Sequence, residues 1–388
     1  MQFTETGLAW VQYAHTLTFG GFLLLAARAG DILGRRRLFI VGLVISTVAS
    51  ILVGIAAEST FMIAARAFQG IGSAIVAPTS LALLLATFDE GKERSRAVAL
   101  YAAVAGIGAS IGLIIGGAFA ELISWRAGFF LNLPIGIVML ILTAHYVNEL
   151  PRKKGHFDVF GANSSTLGLG VLIFGIVNTA VEGWDDPATI IALAVGMILL
   201  VIFVVNEWHV PQPIMPLRLF ASPLRSGALA IRLLYMGAFI GLFYFTTQYF
   251  QGVLGWTALQ AGLGFLPMTV VNFVVATAVT PVVRKVGPLW TLALGVGSTL
   301  AGMAWLGTLN ADTDFVAGLA IPMMLIGAGQ GLALAPMTDY GLHGIHPDDA
   351  GAASGLVNTA QQLGLSIGLA VLGRVSLSRI FGFAMIDG

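Results

Sequence analysis

The chain has 388 residues, of which 57% are hydrophobic and 10% are charged, with 19 lysines and arginines against 19 aspartates and glutamates. A soluble domain carries about 25% charged residues, so this composition excludes an ordinary water-soluble fold. A neutral chain has no bulk attraction to nucleic acid, and a chain without cysteine has no disulfide, thiolate nucleophile or cysteine-held metal.

Long apolar runs follow one another along almost the whole chain. A helix needs about 20 apolar residues to cross a hydrocarbon core of about 30 Å. The runs therefore predict an all-α polytopic membrane protein with about twelve transmembrane helices. The predicted spans are 9–27, 38–57, 61–86, 97–120, 127–147, 160–181, 188–206, 226–250, 258–282, 288–308, 315–337 and 351–373.

Basic residues are concentrated in every second loop between the predicted spans. Loops rich in lysine and arginine stay in the cytoplasm, so the pattern predicts that the N-terminus of this chain lies outside. We expect a bacterial-type cytoplasmic (plasma) membrane. The basic loops contain Arg35, Arg36, Arg37, Lys92, Arg94, Arg96, Arg152, Lys153, Lys154, Arg218, Arg225, Arg284 and Lys285. The acidic loop at 339–349 and the basic C-terminal tail break the trend.

Two connections are longer than the others and bracket one pair of spans. They cover residues 148–160 and 207–225. This spacing predicts five spans in 1–148, a two-span central insert in 149–225, and five spans in 226–388. The two five-span blocks are candidates for structurally related halves.

The first basic loop has the sequence GDILGRRR and joins two neighbouring spans. Gly30 and Gly34 permit the backbone angles of a tight connection. Asp31 stands where a helix ends, and its carboxylate can pair with an arginine or favour the N-terminus of a neighbouring helix. We expect a conformational role for these residues together with Arg35 and Arg36. The plainer interpretation is a generic basic loop that obeys the charge rule.

Arg66 lies inside an apolar span. A central arginine costs about 2.5–3.5 kcal/mol on membrane-insertion scales, so it should face the interior of the bundle and have partners there. Gln69 follows one turn later and shares its face. The alternative is an arginine that extends to the interface from near the end of the span.

A glycine stripe runs along the fourth predicted span. Gly108, Gly112 and Gly116 recur every four residues and Gly117 follows. Such a stripe exposes bare backbone for close contact with another helix. It predicts either a pivot between halves or ordinary structural packing.

Two further polar residues are candidates for coupling to protons or charged substrates. Histidine titrates near neutral pH, so His15 is a possible proton switch. Arg232 lies in the eighth predicted span and needs a partner or an anionic substrate group. A structural role is the alternative for both residues, and for His343 and His346 solvation in a loop is favoured over metal binding.

Aromatic, methionine and amide side chains predict a cavity surface. Aromatic faces and methionine suit bulky apolar or cationic compounds, and amides line cavities or bond between helices. The alternative is that these side chains face lipid or the core. The candidates are Tyr235, Phe239, Phe243, Tyr244, Gln248, Phe265, Met268, Asn272, Asn358, Gln361 and Gln362.

Several strings occur in an order and spacing that resemble the signature segments of the major facilitator superfamily. They are GDILGRRR, RAFQGIG, the glycine run that ends at Gly116 and Gly117, and WRAGFFLNLPIG. The later strings QYFQGVLG and GAASGLVNTA agree with this resemblance. Across essentially its whole length the chain is similar in particular to the drug:proton antiporters with fourteen spans.

The resemblance implies a helical bundle of two pseudo-related halves plus two central extra helices. It implies proton-coupled efflux of small amphipathic or cationic organic compounds by alternating access, in a monomer without a cofactor or metal. Asp31 and Arg35 would belong to a cytoplasmic latch, and Arg66 would tune a protonatable acid. Gly112, Gly116 and Gly117 would form the pivot.

The chain also departs from the family pattern. Ala27 and Leu113 stand where the family usually has glycine and proline, and the loop near Arg284 lacks an acidic residue. By this comparison we expect the first and last family spans to be missing. One alternative function is therefore a truncated, non-transporting fragment or membrane scaffold, and a second is a solute-uptake carrier of the same fold. The chain contains no HExxH motif of the kind that zinc enzymes use.

Overall fold

The computed structural model describes residues 5–89, 91–149, 158–308, 315–346 and 349–384, and all regular elements within these ranges are helical. The α-helices are α1 (Glu5–Leu33), α2 (Arg35–Ile55), α3 (Ser59–Thr87), α4 (Lys92–Leu122), α5 (Trp125–Phe130), α6 (Asn132–Tyr146), α7 (Val159–Val181), α8 (Pro187–His209), α9 (Pro223–Gln248), α10 (Ala258–Gly264), α11 (Leu266–Thr277), α12 (Val279–Val286), α13 (Pro288–Leu306), α14 (Ile321–Gly341) and α15 (Ala350–Ala384). Shorter elements are a 3₁₀ helix (Leu217–Phe220) and two π-helical segments (Tyr249–Val253 and Phe315–Ala320).

The predicted spans correspond to these helices. Among the described residues, 10 segments are long and apolar enough to cross a membrane. Helices α4 and α15, of 31 and 35 residues, cover the two remaining predicted spans at 97–120 and 351–373. The prediction of an all-helical, multi-pass membrane protein is therefore confirmed.

Two predicted spans are interrupted. The span at 127–147 is divided between α5 and α6, and the span at 258–282 is divided among α10, α11 and α12. Each break lies two or three residues before a proline, namely Pro134, Pro267 or Pro281. Proline has no N–H to donate to the preceding turn, and its ring crowds that turn. Both predicted spans are nevertheless found, since Trp125–Tyr146 and Ala258–Thr277 are each long and apolar enough to cross a membrane.

The chain forms two compact units. The first unit comprises Met1–Ala86, Phe129–Gly241 and Gly344–Gly388. Within it α1 packs against α2, α7 and α15, and α2 packs against α6. Glycine also allows α9 to approach α15, since a Cβ added to Gly237 of α9 would stand 3.1 Å from the carbonyl oxygen of Gly364 in α15. Small residues at such contacts let helix backbones pack closely in lipid.

The second unit comprises Thr87–Gly128 and Leu242–His343. Within it α14 packs against α11 and α13, and α4 packs against α10 and α11. Glycines again lie at the contacts, since a Cβ at Gly295 of α13 would stand 2.8 Å from the carbonyl oxygen of Gly329 in α14. Both units combine segments from different blocks of the sequence, and the division into 1–148, 149–225 and 226–388 stays a prediction.

Helices α7 and α8 form an antiparallel pair that is fastened at both ends. At one end, the Asp158 side chain caps α7 by accepting from the Gly161 backbone N–H at 2.9 Å. Its other carboxylate oxygen accepts from the Asn206 amide of α8 at 2.6 Å. At the opposite end, the Asn178 amide donates to Thr189 at 2.8 Å. These bonds join the pair into one element that packs on α1 within the first unit.

Candidate functional site

The turn between α1 and α2 is held by a buried ion pair. Arg35 donates from Nη2 and Nε to the same Oδ1 oxygen of Asp31, at 2.7 and 2.9 Å. The two side chains are 9% and 2% exposed. Arg35 also donates from Nη1 to the carbonyl oxygen of Ala82 in α3 at 3.4 Å. The arginine pairing predicted for Asp31 is therefore present in the structure.

The Asp31 carboxylate also lies against the start of α15. A Cβ added to Gly351 would stand 2.5 and 2.6 Å from the two carboxylate oxygens, so this position has room only for glycine. The N-terminus of a helix carries a partial positive charge that favours an anion. The structure thus places Asp31 in both of the environments considered for it, beside an arginine and at a helix N-terminus.

A second carboxylate fastens the other side of the same turn. Glu149 accepts from the backbone N–H groups of Arg36 and Arg37, at 3.2 and 3.3 Å, and so caps the first turn of α2. The Arg36 guanidinium donates from Nη2 to the carbonyl oxygen of Ala144 at 2.8 Å, near the end of α6. Each charge complements a helix dipole. Sequence reasoning missed Glu149, because no local pattern connects it with a turn more than 100 residues earlier.

Gly34 is the single residue between α1 and α2. Its φ is +107°, a conformation that side-chain-bearing residues rarely adopt. A Cβ at Gly34 would also stand 3.0 Å from the Glu149 carboxylate. At Gly30, a Cβ would stand 3.1 Å from the Thr79 methyl group. The glycine at position 34 is therefore required both by the backbone and by its surroundings.

Arg66 faces partners inside the first unit. Its guanidinium donates to Gln69 at 2.7 Å, to Gln12 at 3.0 Å and to the carbonyl oxygen of Val11 at 3.1 Å. Its Cζ lies 5.7 Å from the centre of the Phe129 ring. Each of these acceptors is uncharged. Arg66 is half-buried and has the hydrogen-bond partners that were predicted for it.

The hydrogen bonds continue from Arg66 into α2 and α6. Gln69 donates to the Ser50 hydroxyl at 2.7 Å, and the Asn132 amide donates to the same hydroxyl at 3.2 Å. His15 lies to one side, where its Nε2 is 3.4 Å from the Ser73 hydroxyl. We call Gln12, Ser50, Arg66, Gln69 and Asn132 the arginine network. Ser50 is its junction, and the sequence offered no signal for that role.

Arg232 connects α9 with α15. Its Nη2 donates to the Gln361 amide oxygen at 2.7 Å, and the arginine is buried. Gln362 is also buried, next to Gly20 of α1. Asn358 donates to the carbonyl oxygen of Ser354 in its own helix at 2.8 Å. Of the three predicted amides on α15, Gln361 is thus the one that bonds to Arg232.

The predicted aromatic residues separate into two groups. In the first unit, the rings of Tyr235 and Phe239 stack with centres 6.3 Å apart. In the second unit, the Phe243 and Phe265 rings are 4.9 Å apart. Tyr244 is half-buried beside Phe245, and Gln248 is exposed.

Three predicted cavity residues are covered in this conformation. Phe265, Met268 and Asn272 are each 1% exposed. Helix α14 covers two of them, since a Cβ at Gly331 would stand 2.9 Å from the carbonyl oxygen of Asn272 and a Cβ at Gly327 would overlap the Met268 backbone. Phe265 lies between α10 and α11 and packs against the Phe243 and Phe250 rings. A shared cavity face for the three residues stays a prediction.

The glycine stripe of α4 is packed only at its end. A Cβ at Gly117 would stand 2.7 Å from the carbonyl oxygen of Ala258 in α10. At Gly112 and Gly116, the described residues leave open space within 4 Å of such a Cβ. Close helix contact is therefore observed at Gly117 alone, and a pivot role stays a prediction.

Membrane-length helices that hold a buried ion pair and a partly buried arginine network define a multi-pass membrane protein with polar groups between its spans. A family model described as Major Facilitator Superfamily matches residues 1–369. The chain belongs to the major facilitator superfamily, a family of membrane transporters.

Two curated relatives show how far this similarity extends. The cephamycin export protein CmcT of Amycolatopsis lactamdurans is 40% identical over 377 residues, which are 95% of this chain and 77% of the relative. The puromycin resistance protein pur8 of Streptomyces alboniger is 35% identical over 385 residues, with 96% of this chain and 75% of the relative covered. Both relatives are aligned over nearly the whole of this chain.

A solved structure supports the fold independently. The human organic anion transporter MFSD10 (TETRAN) superimposes with a TM-score of 0.63 at 18% sequence identity. The superposition covers 94% of this chain and 76% of that protein. At this identity the similarity concerns the fold alone.

Proposed function

We propose that this protein exports small organic compounds of the antibiotic class across the bacterial plasma membrane by proton-coupled alternating access. The observation that carries the direction of transport is the similarity to the cephamycin export protein over 95% of the chain. The puromycin resistance protein supports the same substrate class. We further propose that the chain acts as a monomer and that its N-terminus lies outside, as its basic loops predict.

The proposed latch is the set of contacts between the α1–α2 turn and the start of α15. The Asp31 carboxylate lies at the first turn of α15. Asp349, just before that helix, forms a bidentate ion pair with Arg218. With the basic loops inside, these contacts close the cytoplasmic side. Opening that side requires α15 to leave the Asp31 carboxylate, whose charge Arg35 continues to neutralise.

The proposed substrate surface combines buried polar groups with aromatic faces in the first unit. Arg232 and Gln361 supply hydrogen-bond donors, while Tyr235 and Phe239 supply a stacked aromatic pair one and two turns further along α9. Aromatic faces bind planar and cationic groups, and an arginine binds carboxylates. This combination favours amphipathic compounds with a ring system and a polar or anionic group.

The proposed coupling element is the arginine network together with His15. The Arg66 guanidinium is held by neutral oxygens of Val11, Gln12 and Gln69, so its positive charge remains available to a group that gains and loses a proton. His15 titrates near neutral pH in water and lies on α1, the helix that carries two of the Arg66 acceptors. Gln69 and Ser50 fix the orientation of the guanidinium.

Proteoliposomes with an imposed pH gradient test this function. Purified full-length chain is reconstituted, and movement of labelled puromycin is followed with the gradient in either direction. An exporter moves the compound against the proton flow, an uptake carrier moves it with that flow, and a scaffold moves none. We expect puromycin to move in the direction opposite to the protons. In Arg66→Gln, the rate of this movement should fall at least tenfold. The exposed control Glu58→Gln should keep its rate within twofold.

A further inference from the structure

Two distant segments meet at one end of the second unit. Ala99 of α4 and Val279 of α12 belong to one buried apolar cluster, and Val283 packs against it. Further along α4, Gly117 lies against Ala258 of α10, so the contacting residue number falls from 279 to 258 as α4 proceeds, and α4 runs antiparallel to this segment. The start of α4 therefore lies beside the end of α12.

Basic side chains collect at this junction. Lys92 and Arg96 precede Ala99 by seven and three residues, which places them on the face of α4 that approaches α12. Arg284 and Lys285 directly follow Val283. All four are exposed. We call Lys92, Arg96, Arg284 and Lys285 the basic patch.

Of the acidic residues near the patch, the one on α4 lies on a different face of that helix. Glu93 precedes Leu100 by seven residues and shares the exposed face of α4 with it, about 100° from the face of Lys92. Asp89 is exposed and precedes the helix, and Asp339 at the end of α14 is half-buried. Glu90 lies outside the described residues.

The basic patch lies at the level where a lipid headgroup begins. The predicted span of α4 starts at residue 97, directly after Arg96, and the membrane-length segment of α13 starts at Pro288, three residues after Lys285. Trp290 and Leu289 next to the patch are 66% and 64% exposed. Tryptophan is enriched at the membrane interface, where its ring lies among headgroups. Cations beside exposed apolar side chains match a ligand with a phosphate and an acyl chain.

We propose that the basic patch binds the headgroup of an anionic phospholipid, with Trp290 and Leu289 against the lipid's glycerol and acyl region. The positive-inside rule explains why these loops contain several lysines and arginines. It does not explain why charges from α4 and α12 lie together beside an exposed tryptophan. Clusters of four or more basic residues at the end of a span bind anionic lipids. The orientation proposed above assigns the site to the cytoplasmic leaflet.

Lipid titration of the purified full-length chain tests the proposal. Phosphatidylglycerol or phosphatidylcholine is added in detergent, and bound lipid is counted by native mass spectrometry. The patch variant is Arg96→Gln/Arg284→Gln/Lys285→Gln. The matched control is Arg152→Gln/Lys153→Gln/Lys154→Gln, which removes the same number of charges from another basic loop. We expect phosphatidylglycerol to bind the patch variant at least tenfold more weakly, with the control within twofold of wild type.

Three results would overturn the proposal. They are equal losses in the two variants, equal binding of the two lipids by the wild type, and displacement of phosphatidylglycerol by millimolar inorganic phosphate, which would indicate a free-anion site. A second measurement is the quenching of tryptophan fluorescence by phosphatidylglycerol with brominated acyl chains. The quenching should be smaller in Trp290→Phe than in wild type. The assays need no gradient, substrate or orientation, so their failure is distinct from a failure of export.

Discussion

The turn between α1 and α2 and the turn between α12 and α13 share a backbone form and differ in chemistry. Gly34 and Gly287 are the single residues between the helices, with φ of +107° and +84° and an extended ψ in both. Around Gly34 lies the Glu149 carboxylate, whereas the described residues leave the space around Gly287 open. The first turn is closed by carboxylates, and the second presents exposed cations.

The difference shows that turns of one backbone form can carry two different arrangements of charge. Asp31 and Glu149 neutralise the arginines of the first turn and anchor it on neighbouring helices of its own unit. Arg284 and Lys285 in the second turn remain exposed. The proposed latch at the first turn and the proposed anion surface at the second thus depend on charge placement rather than on backbone geometry. The predictions below separate these two effects.

The largest effect is expected from Asp31→Asn. The substitution leaves Arg35 buried without its carboxylate, and breaking a buried ion pair costs about 3–5 kcal/mol. The midpoint of denaturant unfolding in detergent should fall, and the transport rate should fall at least tenfold. Asp31→Asn/Arg35→Gln removes both charges and should recover part of the stability. Wild-type stability in the single variant would contradict the role of the pair.

A pair of glycine substitutions compares the two turns directly. Gly34→Ala imposes a side chain on a positive φ and pushes it against Glu149, so we expect a loss of about 3 kcal/mol. Gly287→Ala has the same backbone problem in open space, so a loss of about 1 kcal/mol is expected. The unfolding midpoints of the two variants, measured side by side, test this difference in stability. Equal losses would show that Glu149 does not limit the space at Gly34.

Glu149→Gln should have a smaller effect. It removes the charged cap of α2 but keeps an oxygen that can accept a hydrogen bond, so about 1 kcal/mol of stability should be lost. The exposed residue Glu58 supplies the control Glu58→Gln, which should remain within about 0.5 kcal/mol of wild type. A thermal unfolding series measures both. Equal unfolding temperatures of Glu149→Gln and Glu58→Gln would show that Glu149 does not stabilise the α1–α2 turn.

The smallest effect on stability is expected from Arg284→Gln/Lys285→Gln. Exposed side chains away from packed contacts change stability by less than about 0.5 kcal/mol. The unfolding temperature without added lipid should therefore match wild type, while the rise caused by phosphatidylglycerol should be at least halved. A clear loss of stability without lipid would show that these cations support the fold rather than a ligand.

The side-chain pairs that the sequence predicted join residues that are close together in the chain. Asp31 and Arg35 are four residues apart, and Arg66 and Gln69 are three apart, so one helical turn brings each pair together. The pairing of Arg232 with Gln361 was not predicted, because 129 residues separate them. The same reason hid the Arg218–Asp349 ion pair, which spans 131 residues.

The sequence by itself determined that the chain is all-helical and where its long apolar helices lie, because lipid requires every span to be long, apolar and internally hydrogen-bonded. It also determined which side chains share a helical face, because that follows from 3.6 residues per turn. Only the tertiary structure decided which faces meet. Glycines on α14 bring that helix against Met268 and Asn272, and Gly351 brings α15 against Asp31. Such contacts depend on how helix backbones approach one another, which no local pattern of residues specifies.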